Sequence, residues 1–135
     1  MTSPTERSPA TPTQLSILAA MGALYWFLAA LIVRWTAPIW AGLDGRTALT
    51  FALIVIGTLP ALLLGLRVAG LGRNRSQVAA LVMTGAALLL DGLALTWGRS
   101  LYGSDPATVL SGAASIMWGA GVALAFGWFL EQRAR

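Results

Sequence analysis

Four long apolar stretches alternate with short polar ones along the chain. Leu15 to Val33 carries no charge until Arg34 closes it. Similar runs cover residues 47–66, 77–97 and 107–130, and the only charge inside them is Asp91. Each is close to the ~20 residues that cross a hydrocarbon core as a helix. Long unbroken apolar runs indicate helices rather than the alternating strands of a barrel. The pattern therefore predicts an all-α, four-helix transmembrane bundle with short loops. Its helices are expected at about 15–34, 47–66, 77–97 and 107–130. Residues 14–135 form the membrane domain, and residues 1–13, polar and rich in Pro, Ser and Thr, form a disordered tail. A signal peptide would have a shorter apolar core and a clearly positive start, whereas Glu6 offsets Arg7.

The polar stretches read as turns. Trp35 to Arg46 contains Pro38, Gly42, Asp44 and Gly45. Trp35 and Trp40 suit an interfacial belt. Arg67 to Arg75 is a short basic loop, and Arg99 to Pro106 is a third turn. Pro60 falls inside the second span and predicts a kink near Ile56, whose carbonyl loses its donor.

Composition narrows the classes. Hydrophobic residues make up 57% and charged residues 10%, against roughly 25% charged in a soluble domain. The absence of Cys and His excludes disulfides, thiolate metal sites and the commonest metal ligand and general acid/base. No metal or cofactor is expected, and no nucleophile–base constellation is present, so the chain is not read as an enzyme. The net charge of +4 does not point to nucleic acid, because the arginines flank apolar runs. Arg7, Arg67, Arg73, Arg75, Arg133 and Arg135 fall on the side of the termini, and Arg34, Arg46 and Arg99 on the other. The positive-inside rule then places both termini in the cytoplasm of a bacterial inner-membrane protein.

The polar residues within the spans carry the candidate chemistry. Asp91 shares a helical face with Ala80, Thr84, Ala87 and Ala94, small residues that let neighbouring helices approach. A charge there costs on the order of 3 kcal/mol on insertion scales, so a partner is expected. Arg34, ~9 Å away in depth if both helices are centred, is the candidate for a buried Arg34–Asp91 pair. Thr50, Ser111 and Ser115 lie in the same outer half and outline a polar pocket. The functional reading of Asp91 is a proton or cation site; the plain one is a polar lock between helices.

The fourth span repeats small residues every four positions: Ser111, Ser115, Gly119, Ala123 and Gly127. Such a ridge packs within the chain or against a second copy or partner subunit. Gly57, Ala61 and Gly65 make a shorter ridge in the second span.

Gly22-Ala23-Leu24-Tyr25-Trp26 followed by Arg34, Leu89-Leu90-Asp91, and Met117-Trp118-Gly119-Ala120 together resemble an uncharacterised family of small four-helix bacterial inner-membrane proteins. The resemblance implies the four-helix fold and brings no biochemical activity with it. The lipid bilayer is the first expected partner. Another membrane protein, or a second copy docked through the fourth helix, is the next. The leading functional expectation is a non-catalytic accessory or structural subunit of a membrane complex. The alternative is a small proton- or cation-coupled transporter using Asp91.

Overall fold

A computed structural model describes residues 9–42 and 44–135. Four helices carry the chain: α1 (Pro12–Trp40), α2 (Asp44–Val68), α3 (Ser76–Trp97) and α4 (Pro106–Arg133). Single 3-10 turns at Arg73–Arg75 and Arg99–Leu101 precede α3 and follow it. There is no strand among the described residues. All four helices are long and apolar enough to cross a membrane, and α3, at 22 residues, is the shortest. The expected tail lies outside the described residues as far as Ser8.

Two ends of α1 differ from expectation, and both have local causes. The helix starts at Pro12 rather than near Leu15 because Thr11 caps it. The Thr11 hydroxyl accepts from the Gln14 amide (3.2 Å), and the Thr11 amide donates to Gln14 Oε1 (3.0 Å), a reciprocal capping box. At the other end the helix continues through the stretch read as a turn. Pro38 removes only one amide near the terminus. The free carbonyls of Ile39 and Trp40 accept from Arg46 Nη1 (3.0 Å) and Thr47 Oγ1 (2.9 Å) at the start of α2. The reversal itself falls at Gly42, with φ of +75°. Trp40 is 6% exposed and belongs to the core, whereas Trp35 is 68% exposed, so only Trp35 suits the interfacial belt. The start of α4 is capped by Asp105, whose Oδ2 accepts from the amide and hydroxyl of Thr108, both at 2.8 Å.

The helices do not pack in chain order. α1 lies chiefly against α3, α3 also against α4, and α4 against α2, while α1 and α2 touch each other less. Because the chain crosses back and forth, α1 and α3 run parallel. Burial concentrates at the two ends of the bundle. Leu18, Leu62, Leu66, Ala79 and Met83 form one cluster near the termini. Ala30, Val33, Ala37, Trp40 and Tyr102 form the other, beneath the Arg99–Pro106 turn.

In lipid there is little hydrophobic force between helices, so close contact and hydrogen bonds hold them together. Gly22 supplies the closest approach of α1 to α3: a Cβ there would run into the Met83 backbone. Gly127 does the same for α4 on α3, where a Cβ would lie 2.5 Å from Ala80 Cβ and 2.9 Å from the Ser76 carbonyl. The Ser76 hydroxyl donates to the Gly127 carbonyl at 2.7 Å. Beside it, the buried Glu131 accepts from the Gln77 amide at 3.2 Å, placing a carboxylate at the positive end of α3. Leu53, Ile56, Leu89, Trp97, Leu110 and Met117 face outward as an apolar exterior, consistent with bilayer contact.

Candidate functional site

Asp91 is the centre of the polar interior. It sits on α3 and is 4% exposed. The small-residue face read from the sequence does turn inward: Ala80 and Thr84 are buried with it, while Leu88, Leu89 and Leu93 are exposed.

Its partners are not the expected ones. Trp26 Nε1 donates to Asp91 Oδ1 at 2.9 Å. The Tyr102 hydroxyl donates to the same oxygen, and the Trp26 indole is shared with the Tyr102 oxygen at 3.0 Å. Asp91, Trp26 and Tyr102 thus close a triangle between α3, α1 and the turn after α3. Arg34 instead donates from Nη1 to the Ser100 carbonyl at 2.8 Å, on the exposed side of the bundle. The Arg34–Asp91 pair is not formed.

The reason lies in register and solvation. Gly22 abuts Met83, so in these parallel helices Asp91 is roughly level with Ala30, about one turn from both Trp26 and Arg34. The indole N–H is a donor that must find a partner in a dry interior. The guanidinium can extend toward the surface and keep its hydration. The interior carboxyl therefore takes the neutral donors.

The sequence pattern does not mark Trp26 or Tyr102 as partners of Asp91. Trp26 had a usable signal, since an indole in mid-span needs an acceptor. Tyr102 had none, because it lies in a turn whose path over the bundle is set only by packing. Burial, and next the hydrogen bond to Asp91, push the Tyr102 phenol above its ordinary range.

The second carboxyl oxygen, Asp91 Oδ2, is buried without a hydrogen-bond partner. Asp91 also lines a cavity of about 320 Å³ between the four helices. The walls are mostly apolar and include Tyr25, Trp26, Ala29, Ile54, Ala87 and Ala123. Of the three hydroxyl residues expected around a pocket, Thr50 and Ser115 line this cavity, whereas Ser111 borders a separate depression beside Thr47 and Phe51. The Thr50 hydroxyl donates to the Arg46 carbonyl (2.9 Å) and that of Ser115 to the Gly112 carbonyl (2.7 Å). Both hydroxyls thus spend their protons on their own helix, the Tyr25 phenol donates to the Ala61 carbonyl (3.1 Å), and Asp91 is the one carboxyl that lines the cavity. Among the described residues, no three acidic, His or Cys side chains come together as a metal site.

Two positions of the α4 ridge are filled within the chain. A Cβ at Gly119 would lie 3.2 Å from Ile54 of α2, and Gly127 is filled by α3. Ser115 and Ala123 face the cavity. Gly112, outside the four-residue repeat, receives Val33 of α1. In α2, Gly57 faces open space while Gly65 receives Met83.

Compared with family models, curated proteins and solved structures, the chain matches none.

Proposed function

We propose that this multi-pass membrane protein is a small carrier of the bacterial inner membrane that binds its cargo in the central cavity, with Asp91 as the coupling group. The observation that carries the reading is a buried carboxyl on a residue that lines a cavity, with one oxygen satisfied and the other without a partner. Intramembrane acids that line cavities commonly mark ion or substrate pathways. A purely structural acid would be expected to have both oxygens paired. The chain supplies no nucleophile–base pair, so the reading is a carrier rather than an enzyme. The arginine distribution supports cytoplasmic termini.

The accessory-subunit reading rests on the absence of catalytic groups and on the α4 ridge. Gly119 and Gly127 of that ridge pack on α2 and α3 of the same chain, which weakens the second of these motives, and the cavity carboxyl favours the carrier. The test is reconstitution of the full chain into liposomes carrying an internal pH dye. An imposed proton gradient should dissipate faster than in empty vesicles, and Asp91→Asn should abolish the difference. Equal leak for both proteins, with Asp91→Asn folded, would refute the reading.

A further inference from the structure

The cavity combines three features that select a ligand. Its walls are mostly apolar, Asp91 is the one carboxyl on them, and the hydroxyls of Tyr25, Thr36, Thr50, Thr58 and Ser115 already donate to backbone carbonyls. The Asp91 carboxyl on its wall has one oxygen, Oδ2, that lacks a hydrogen-bond donor. The opposite carboxyl oxygen is held by Trp26 and Tyr102, which leaves Oδ2 as the oxygen open to a further donor.

A fourth feature concerns access. Among the described residues, side-chain hydrogen bonds tie α1 to α2 at two levels: Tyr25 to the Ala61 carbonyl at 3.1 Å, and Arg46 and Thr47 to the end of α1. Between those ties the cavity is lined by Ile32 and Thr36 on one side and Thr50 and Ile54 on the other. Ile32 is a wall residue and yet 59% exposed, so the cavity reaches the bundle surface there, at the level of the bilayer.

We propose that the cavity takes a small lipophilic primary or secondary ammonium ion that enters from the bilayer between α1 and α2 and donates an N–H to Asp91 Oδ2. The apolar body replaces wall contacts that an empty cavity lacks. The ammonium supplies both the missing donor and a countercharge, a charge-assisted bond stronger than a neutral one. The Trp26 and Tyr25 rings on the same wall favour a cation beside them. A quaternary ammonium has the charge without the donor, and a neutral alcohol has a donor without the charge. A volume of about 320 Å³ lies at the small end of ligand pockets, which limits the cargo to one compact molecule. This inference rests on the carrier reading for the cavity's role, but its binding test stands apart from transport.

The experiment titrates the purified full chain in lipid nanodiscs with 4-phenylbutylamine, with its trimethylammonium analogue and with 4-phenylbutanol, read by tryptophan fluorescence and calorimetry. The amine is expected to bind at least tenfold more tightly than either analogue. Asp91→Asn should remove that preference. Ala29→Phe fills the cavity while leaving Asp91 in place, and should remove binding of all three probes. It also keeps the test decisive if Asp91→Asn proves unstable. Equal binding of amine and alcohol to the wild-type protein would overturn the proposal, as would amine binding unaffected by Ala29→Phe. Proton flux dependent on Asp91 without amine binding would overturn this inference and leave the carrier reading intact. Asp91-dependent amine binding without any flux would uphold the inference and refute the carrier.

Discussion

Tyr102 reaches from the turn beyond α3 back to Asp91 inside α3, eleven positions earlier, and is itself fully buried. One phenol thereby anchors the outer turn to the membrane interior and completes the triangle with Trp26. Removing the hydroxyl takes one of the two donors from Asp91 Oδ1 and leaves the Trp26 indole as the other; losing a buried hydrogen bond to a carboxyl costs about 1–3 kcal/mol. Tyr102→Phe should lower the thermal midpoint in detergent, and the loss should shrink in an Asp91→Asn background. An unchanged midpoint would show that the bond contributes nothing net.

Arg34 and Asp91 share no partner, so their substitutions should be independent. In a double-mutant cycle of Arg34→Ala and Asp91→Asn, thermal stabilities should add within about 0.5 kcal/mol. A coupling of several times that size would restore the ion pair that the register argues against.

The contact between Gly22 and the Met83 backbone leaves no room for a methyl group. Gly22→Ala should destabilise the bundle by about 1–3 kcal/mol through overpacking. Gly57→Ala, which meets nothing within 4 Å, should stay within roughly 0.5 kcal/mol of wild type, as exposed substitutions do. Unfolding midpoints of the two variants, measured side by side, decide the matter.

Gly127 tests where the α4 ridge is used. If it serves α3 of the same chain, Gly127→Ala should lower stability and leave the molecular mass by light scattering in detergent unchanged. A fall in mass at constant stability would instead assign the ridge to a second copy.

Alkaline pH probes Tyr102. Its phenol is raised above the ordinary value of 10.0 by burial and by the Asp91 contact, so the folded state holds the proton more tightly than the unfolded one. The associated stability is complete below pH 10 and declines as pH climbs beyond it. Chemical denaturation from neutral to strongly alkaline pH should show this decline in wild type and a flatter profile in Tyr102→Phe. With Tyr25→Phe removing the only other tyrosine, tyrosinate absorbance should appear together with unfolding rather than before it.

The four spans and the inward face of α3 were legible because they are local properties. A run of apolar residues near 20 long can satisfy its backbone in lipid only as a helix. A small-residue stripe at helical spacing marks the face that neighbours approach. Asp91 was legible for the same reason, as the one charge within a span. Helix ends were less so: capping by Thr11 and the acceptance of α1 carbonyls by Arg46 and Thr47 depend on a handful of bonds that composition does not reveal. The partner of Asp91 lay beyond the sequence altogether. Arg34 is the attractive charge by chemistry, and Trp26 and Tyr102 are ordinary aromatics by pattern. Only the register set where Gly22 meets Met83, together with the path of the outer turn, brings two neutral donors to the carboxyl and sends the guanidinium to the Ser100 carbonyl. The cavity has the same origin. It exists because α1 packs on α3 and α4 on α2 more closely than α1 packs on α2, and a volume left between four helices is a property of their arrangement, not of any one of them.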